Sequence, residues 1–158
     1  MTQILPGQIA PDFSLYDSDK KLITLSEEKG KNILLLFFPF AFSSVCTEEL
    51  CSMRDNLKIY EGLDANIYGI SVDSLYSLKK FKEEQHLNFT LLSDFNKDVS
   101  ITYGCLYENF GYGMKGVSKR SAFLIDKDGI VRYAEVLENA GMQPNFEEIQ
   151  VKLRELIK

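Results

Sequence analysis

Residues 33–55 read ILLLFFPFAFSSVCTEELCSMRD, and this stretch decides the fold. Residues 32–38 are apolar on both faces after Asn32, the pattern of a central strand covered on each side. Pro39 closes that strand, because proline lacks the N–H that a central strand needs. From Ser43 the period changes: Leu50, Met53 and Leu57 recur at helical spacing, with Glu48, Glu49, Arg54, Asp55 and Lys58 between them. This predicts a helix over 44–61, ended by Gly62. The stretch thus carries Cys46 to a strand-to-helix turn, where unpaired backbone N–H groups gather.

The flanking sequence fits around that centre. Residues 13–15 and 22–24, separated by Asp17-Ser18-Asp19-Lys20, predict a small antiparallel hairpin at the edge of the fold, after an irregular arm over 1–11. Ser26, Glu27 and Glu28 form a short capped turn closed by Gly30. A second buried strand is predicted over 66–72, then a helix to residue 85 capped by Asp73 or Ser74. A short strand over 89–92 follows, with a helical turn opened by Asp94 and Asn96. Residues 106–118, rich in glycine, serine and aromatics, read as a loop with room for a short strand. Strands over 121–125 and 130–135 flank the turn Asp126-Lys127-Asp128-Gly129, and a last helix runs over 145–157. The order is that of an α/β protein with a central mixed sheet, helices on both faces and an N-terminal β-hairpin. No repeat or linker divides the chain, so residues 1–158 are expected to form one domain.

The composition narrows the function. The chain has 158 residues, a hydrophobic fraction of 45%, a charged fraction of 26% and a net charge of −5. The basic residues form no dense patch, which argues against nucleic acid and anionic membranes as partners. The N-terminal MTQILPGQIAPDF lacks a basic segment followed by an apolar run, so no secretory signal is expected. The apolar run over 33–42 is too short to span a bilayer. A cytoplasmic protein is expected, in which three cysteines are reduced thiols or redox groups rather than a disulfide framework.

Most cysteines are inert, small buried side chains. Cys46 differs by its place at a helix start, by the nearby hydroxyls of Ser43 and Ser44, and by the rigid Pro39 before them. A helix dipole stabilises an exposed anion by about 0.3–1 kcal/mol, and by about 2 kcal/mol when it is partly buried. Lowering a thiol pKa by two units takes about 2.7 kcal/mol. The dipole falls short, so a cation is expected beside the sulfur, with Arg54 and Arg120 as candidates.

The spacing Pro39-x-x-x-Ser43-x-x-Cys46 resembles the active-site pattern of the peroxiredoxin family, Pro-x-x-x-Thr/Ser-x-x-Cys. The preceding LLLFFPFAF, Glu49, the Arg54-Asp55 pair, the segment LNFTLLSD and Lys119-Arg120-Ser121-Ala122-Phe123-Leu124-Ile125-Asp126 resemble the family's other segments, in the same order. The likeness is nearest to the bacterioferritin-comigratory protein/PrxQ branch and the related AhpE type. It implies a thioredoxin-like fold and a thiol-dependent peroxidase that reduces hydrogen peroxide and organic hydroperoxides without a cofactor or metal. It further implies that Cys46 attacks the peroxide and becomes a sulfenic acid, and that Arg120 holds the thiolate and the developing charge. Ser43 would hydrogen-bond the peroxide, the N–H groups of Val45 and Cys46 would complete the pocket, and Pro39 would shield it. Glu49 and Arg54 would orient the active-site helix. Thioredoxin or a similar dithiol is the implied reductant, and the protein would be a monomer or homodimer. Serine stands where the family has mostly threonine at 43, and serine stands at 44 where many members have proline.

The Cys46-x4-Cys51 spacing resembles that of PrxQ-type enzymes, in which the second cysteine resolves the sulfenic acid as an intramolecular disulfide. An intact helix separates such Cα atoms by roughly 8–9 Å, whereas a disulfide tolerates about 7 Å. The helix must therefore unwind for Cys51 to resolve. The alternatives are a one-cysteine enzyme resolved by an external thiol and a redox relay. A thioredoxin-like disulfide reductase calls for Cys-x-x-Cys, which is absent. Cys105 reads as structural, with a resolving role as the alternative. His86, the single histidine, reads as a surface residue beside a helix end, and no metal site forms around it. Tyr107, Phe110 and Tyr112 read as packing residues of the 106–118 loop.

Overall fold

The computed structural model describes residues 3–28 and 30–157; Met1 and Thr2 of the expected N-terminal arm lie outside the described residues. Strands β3 (Asn32–Phe37), β4 (Ala65–Ser71), β5 (Thr90–Ser93), β8 (Ser121–Ile125) and β9 (Val131–Val136) form one sheet in the order β5-β4-β3-β8-β9. The β3, β4 and β5 strands run parallel, while β8 pairs antiparallel with both β3 and β9. The expected hairpin forms as β1 (Ser14–Tyr16) with β2 (Leu22–Thr24), and a second small ribbon joins β6 (Leu106–Tyr107) to β7 (Val117–Ser118).

β3 sits at the centre because it is apolar on both sides. Leu34, Leu36 and Phe38 point into one core with Leu50 and Met53 of α1 (Ser44–Asp55) and Tyr60 of α2 (Leu57–Gly62). Leu78 and Phe81 of α3 (Leu75–Gln85) and Ile149 and Leu153 of α5 (Phe146–Leu156) complete that core. Ile33, Leu35 and Phe37 point the opposite way, into a second core with Phe13, Ile23 and Tyr103 and with Val99 of α4 (Asp98–Thr102). Each fully buried leucine of β3 contributes about 1.5–3 kcal/mol through lost apolar exposure.

Three expectations are corrected. The helix predicted over 44–61 is two helices, broken at Asn56, whose backbone leaves the helical region. Asn56 Nδ2 donates to the Ser52 carbonyl at 2.8 Å, the local side-chain competition that makes asparagine a helix breaker. The turn expected at Asp94 and Asn96 becomes helical only at Asp98. Asp94 instead reaches forward, its carboxylate accepting from Val99 N at 3.2 Å and Ser100 N at 2.7 Å. The last helix has its cap at Asn145, whose side chain accepts from Glu148 N. His86 is exposed and ends α3 in the left-handed conformation. No helix among the described residues is long and apolar enough to cross a membrane.

Candidate active site

β3 leads into a tight loop over residues 38–43. The Phe38 N–H still bonds the Ile70 carbonyl at 2.9 Å, and Pro39 follows, buried. Ala41 N donates to Asp73 Oδ2 at 2.8 Å, which also accepts from Ser71 Oγ at 2.7 Å. This ties the loop to the end of β4. Burial raises the Asp73 pKa against the pull of those donors. Phe42 adopts a left-handed backbone (φ 69°), costly for a bulky residue, and its ring packs edge-on against Phe81 at 5.1 Å. The chain is thereby turned to start α1.

Ser43 is the N-cap by backbone conformation, yet its hydroxyl makes no cap bond and donates instead to the Phe40 carbonyl at 2.8 Å. The first N–H groups of α1 are therefore left without a side-chain partner from the cap. Cys46 lies in this first turn and is fully buried.

Arg120, just before β8, reaches across the sheet to it. Its Nη2 donates to Cys46 Sγ at 3.0 Å and its Nη1 to Glu49 Oε1 at 2.7 Å. Nε and Nη2 also donate to the Ala140 carbonyl at 3.2 and 3.0 Å, which fixes the plane of the guanidinium. Burial works against the Arg120 charge, but Glu49 and Cys46 outweigh it and hold the pKa above its usual value. Burial pushes Glu49 up to about 7 despite Arg120, and Glu49 Oε2 is buried without a hydrogen-bond partner. The arrangement presents a sulfur atom, a fixed cation and a carboxylate in one water-poor site.

Of the two cations expected near the sulfur, the structure brings one. Arg54 lies eight residues beyond Cys46, about 12 Å along the helix axis, and turns away to Asp55 and the Gln85 carbonyl. Cys51 stays within the intact α1, half-buried, its thiol donating to Gln85 Oε1 at 3.4 Å. All three cysteines are free. Cys105 belongs to the opposite core, and burial pushes its thiol up to about 12. Among the described residues, no group of three or more His, Cys, Asp or Glu side chains could hold a metal.

Sequence reasoning did not reach the Ala140 carbonyl, because a backbone acceptor has no side-chain signature. It read Asp73 only as a helix cap. Phe40, Phe110 and Tyr107 form an aromatic wall beside the loop, Phe110 meeting Phe40 edge-on at 5.9 Å and Tyr107 at a tilt at 5.2 Å between centroids.

Known proteins resemble this chain over most of its length. Residues 6–134 match the AhpC/TSA family. The chain is 36% identical over 135 residues to peroxiredoxin Bcp of Escherichia coli, covering 84% of this chain and 86% of that protein. It is 39% identical over 133 residues to alkyl hydroperoxide reductase E of Mycobacterium tuberculosis, covering 82% and 84%. The crystal structure of peroxidoxin BcpB from Mycobacterium tuberculosis superposes with a TM-score of 0.84 at 29% identity, over 96% of this chain and 97% of that one. The fold is thioredoxin-like, and the class of protein is the thiol peroxidases, oxidoreductases that work through cysteine. The chain belongs to the AhpC/TSA family, the peroxiredoxins, in keeping with the Bcp and AhpE branches that its residues resemble.

Proposed function

We propose that the protein reduces hydrogen peroxide and organic hydroperoxides through Cys46, and that Cys51 then resolves the product. The observation that carries this reading is the Arg120 Nη2 contact to Cys46 Sγ at 3.0 Å, made inside a buried site. The Cys46 thiolate attacks the terminal peroxide oxygen. The S–O bond forms, the O–O bond breaks, and the departing oxygen takes a proton to leave as water or an alcohol. Arg120 already faces the sulfur and needs no rearrangement to meet the charge that develops there, the most effective form of electrostatic catalysis. Ser43 has its proton engaged with the Phe40 carbonyl, so its lone pairs are free to accept from the peroxide O–H. Glu49 and Ala140 position Arg120, and Pro39 limits water at the thiolate.

Cys46 sulfenic acid then reacts with the Cys51 thiol to give a disulfide and water, and a dithiol such as thioredoxin restores both thiols. The reaction takes place in the cytoplasm, with no cofactor, and the protein acts as a monomer or homodimer. A second reading, in which an external thiol resolves Cys46, draws on the intact helix at Cys51.

The test mixes reduced protein with a slight excess of hydrogen peroxide and follows mass and thiol content. A fall of about 2 Da, mapped to a Cys46–Cys51 bridge, is expected. A lasting sulfenic acid on Cys46 would establish the one-cysteine reading. Oxidation no faster than that of free cysteine would overturn the peroxidase mechanism.

A further inference from the structure

The C-terminal turns of α1 and α3 are tied to each other. Arg54 donates through Nη1 to the Gln85 carbonyl, one of the last-turn oxygens that α3 leaves without a helical partner. Asn88 Nδ2 returns the tie, donating to the Arg54 carbonyl at 3.2 Å. Between these two contacts, the Cys51 thiol donates to the Gln85 side-chain oxygen at 3.4 Å. Arg54 Nε is held by Asp55 at 2.8 Å.

We propose that Gln85 is a positioning residue that parks the Cys51 thiol and sets the rate of intramolecular resolution, with Arg54 and Asn88 holding the end of α3 in place. This rests on the reading that Cys51 resolves Cys46. The two cysteines cannot bond while α1 is intact, so two sets of contacts hold the enzyme in its peroxide-reducing form. One is Arg120 on Cys46, which oxidation of the sulfur alters directly. The other is the Gln85 clamp, about 7.5 Å further along the helix, whose members peroxide does not modify. In resolution the Cys46 S–O bond breaks, the S–S bond forms, and the Cys51 proton leaves with the hydroxyl as water. The proton that must leave is the one Cys51 now shares with Gln85.

The test separates the two chemical steps. Peroxide is mixed rapidly with the full chain, samples are quenched with a thiol-alkylating reagent, and sulfenic acid and disulfide are counted by mass. Gln85→Leu removes the acceptor, and disulfide formation is expected to quicken about fivefold, the effect of losing one hydrogen bond of ~1 kcal/mol. Gln85→Ala removes the same acceptor without adding an apolar side chain and is expected to behave alike. Gln85→Glu keeps the acceptor, adds a charge that pairs with Arg54 and opposes thiolate formation at Cys51, so resolution is expected to slow about fivefold. Sulfenic acid formation is expected to stay within about twofold in all three, since Gln85 does not touch Cys46. Opposite signs for Leu and Glu mark the clamp, because a merely structural role would shift both the same way. Rates that move together, or not at all, while a Cys46–Cys51 bridge still forms would overturn the clamp alone. No such bridge in the unsubstituted protein would overturn the resolving role beneath it.

Discussion

Cys46 and Cys105 are both fully buried and stand in opposite cores of one sheet, but the structure surrounds them differently. Cys105 lies beside Tyr103 and Phe123, where burial dominates and pushes its thiol up to about 12, against the help of Ser121 and Lys119. Cys46 lies in the first turn of a helix with a guanidinium nitrogen 3.0 Å from its sulfur. Burial alone silences a thiol; burial with a fixed cation makes a site where charge is stabilised without water. A cation in direct contact with the sulfur, not the degree of exposure, separates the two.

The largest test makes Cys46 resemble Cys105. Arg120→Met removes the cation while keeping bulk, and kcat/KM for hydrogen peroxide, read by stopped flow, is expected to fall about 10²–10³-fold, as when an oxyanion donor is lost. A fall below about tenfold would break the comparison. Stability should drop in the same variant by about 3–5 kcal/mol, because Glu49 is left buried without its partner.

Glu49 gives the next largest effect. Its folded pKa of about 7 lies above the ordinary 4.5, so the folded state binds this proton more tightly than the unfolded chain does. That contribution to stability is fully present below pH 4.5 and is lost as pH rises through about 7, roughly 3 kcal/mol in all. Urea unfolding between pH 4 and pH 8 should show this slope in the native protein and a flatter profile in Glu49→Gln. Equal slopes in the two proteins would contradict it.

Cys105→Ala probes the other side of the comparison. Peroxide reduction is expected to stay within about twofold, with a stability loss near 1 kcal/mol from the lost sulfur contact. A large loss of turnover would give Cys105 a role that its surroundings argue against. Ser43→Thr is the smallest change. The added methyl restricts the rotamer of a hydroxyl that already points at Phe40, so a rate gain of up to about twofold is expected.

Much of this was legible in the chain. The unbroken apolar run of β3 announced a strand covered on both sides, and the change of period at Ser43 announced the helix that carries Cys46. The shortfall of a helix dipole against a thiolate calls for a cation. It could not choose between Arg54 and Arg120, because the choice rests on a contact 74 residues long across the sheet. Helix geometry then explains the rejected candidate, since eight residues carry Arg54 beyond the first turn. The break at Asn56 was hidden because the apolar spacing runs through it, and the side chain that cuts the helix is polar and exposed. The resemblance to the peroxiredoxins, in contrast, implies the pairing of Cys46 with Arg120 directly.

The reach of Arg120 to Cys46 also bears on how the molecule is made. During synthesis Cys46 leaves the ribosome 74 residues ahead of Arg120, about 4–15 s at ordinary elongation speeds. Through that interval the cysteine has no guanidinium, and it gains one only when β8 settles antiparallel against β3. Under the mechanism proposed above, the nascent chain therefore carries its sulfur unarmed, and reactivity towards peroxide arrives together with the completed sheet.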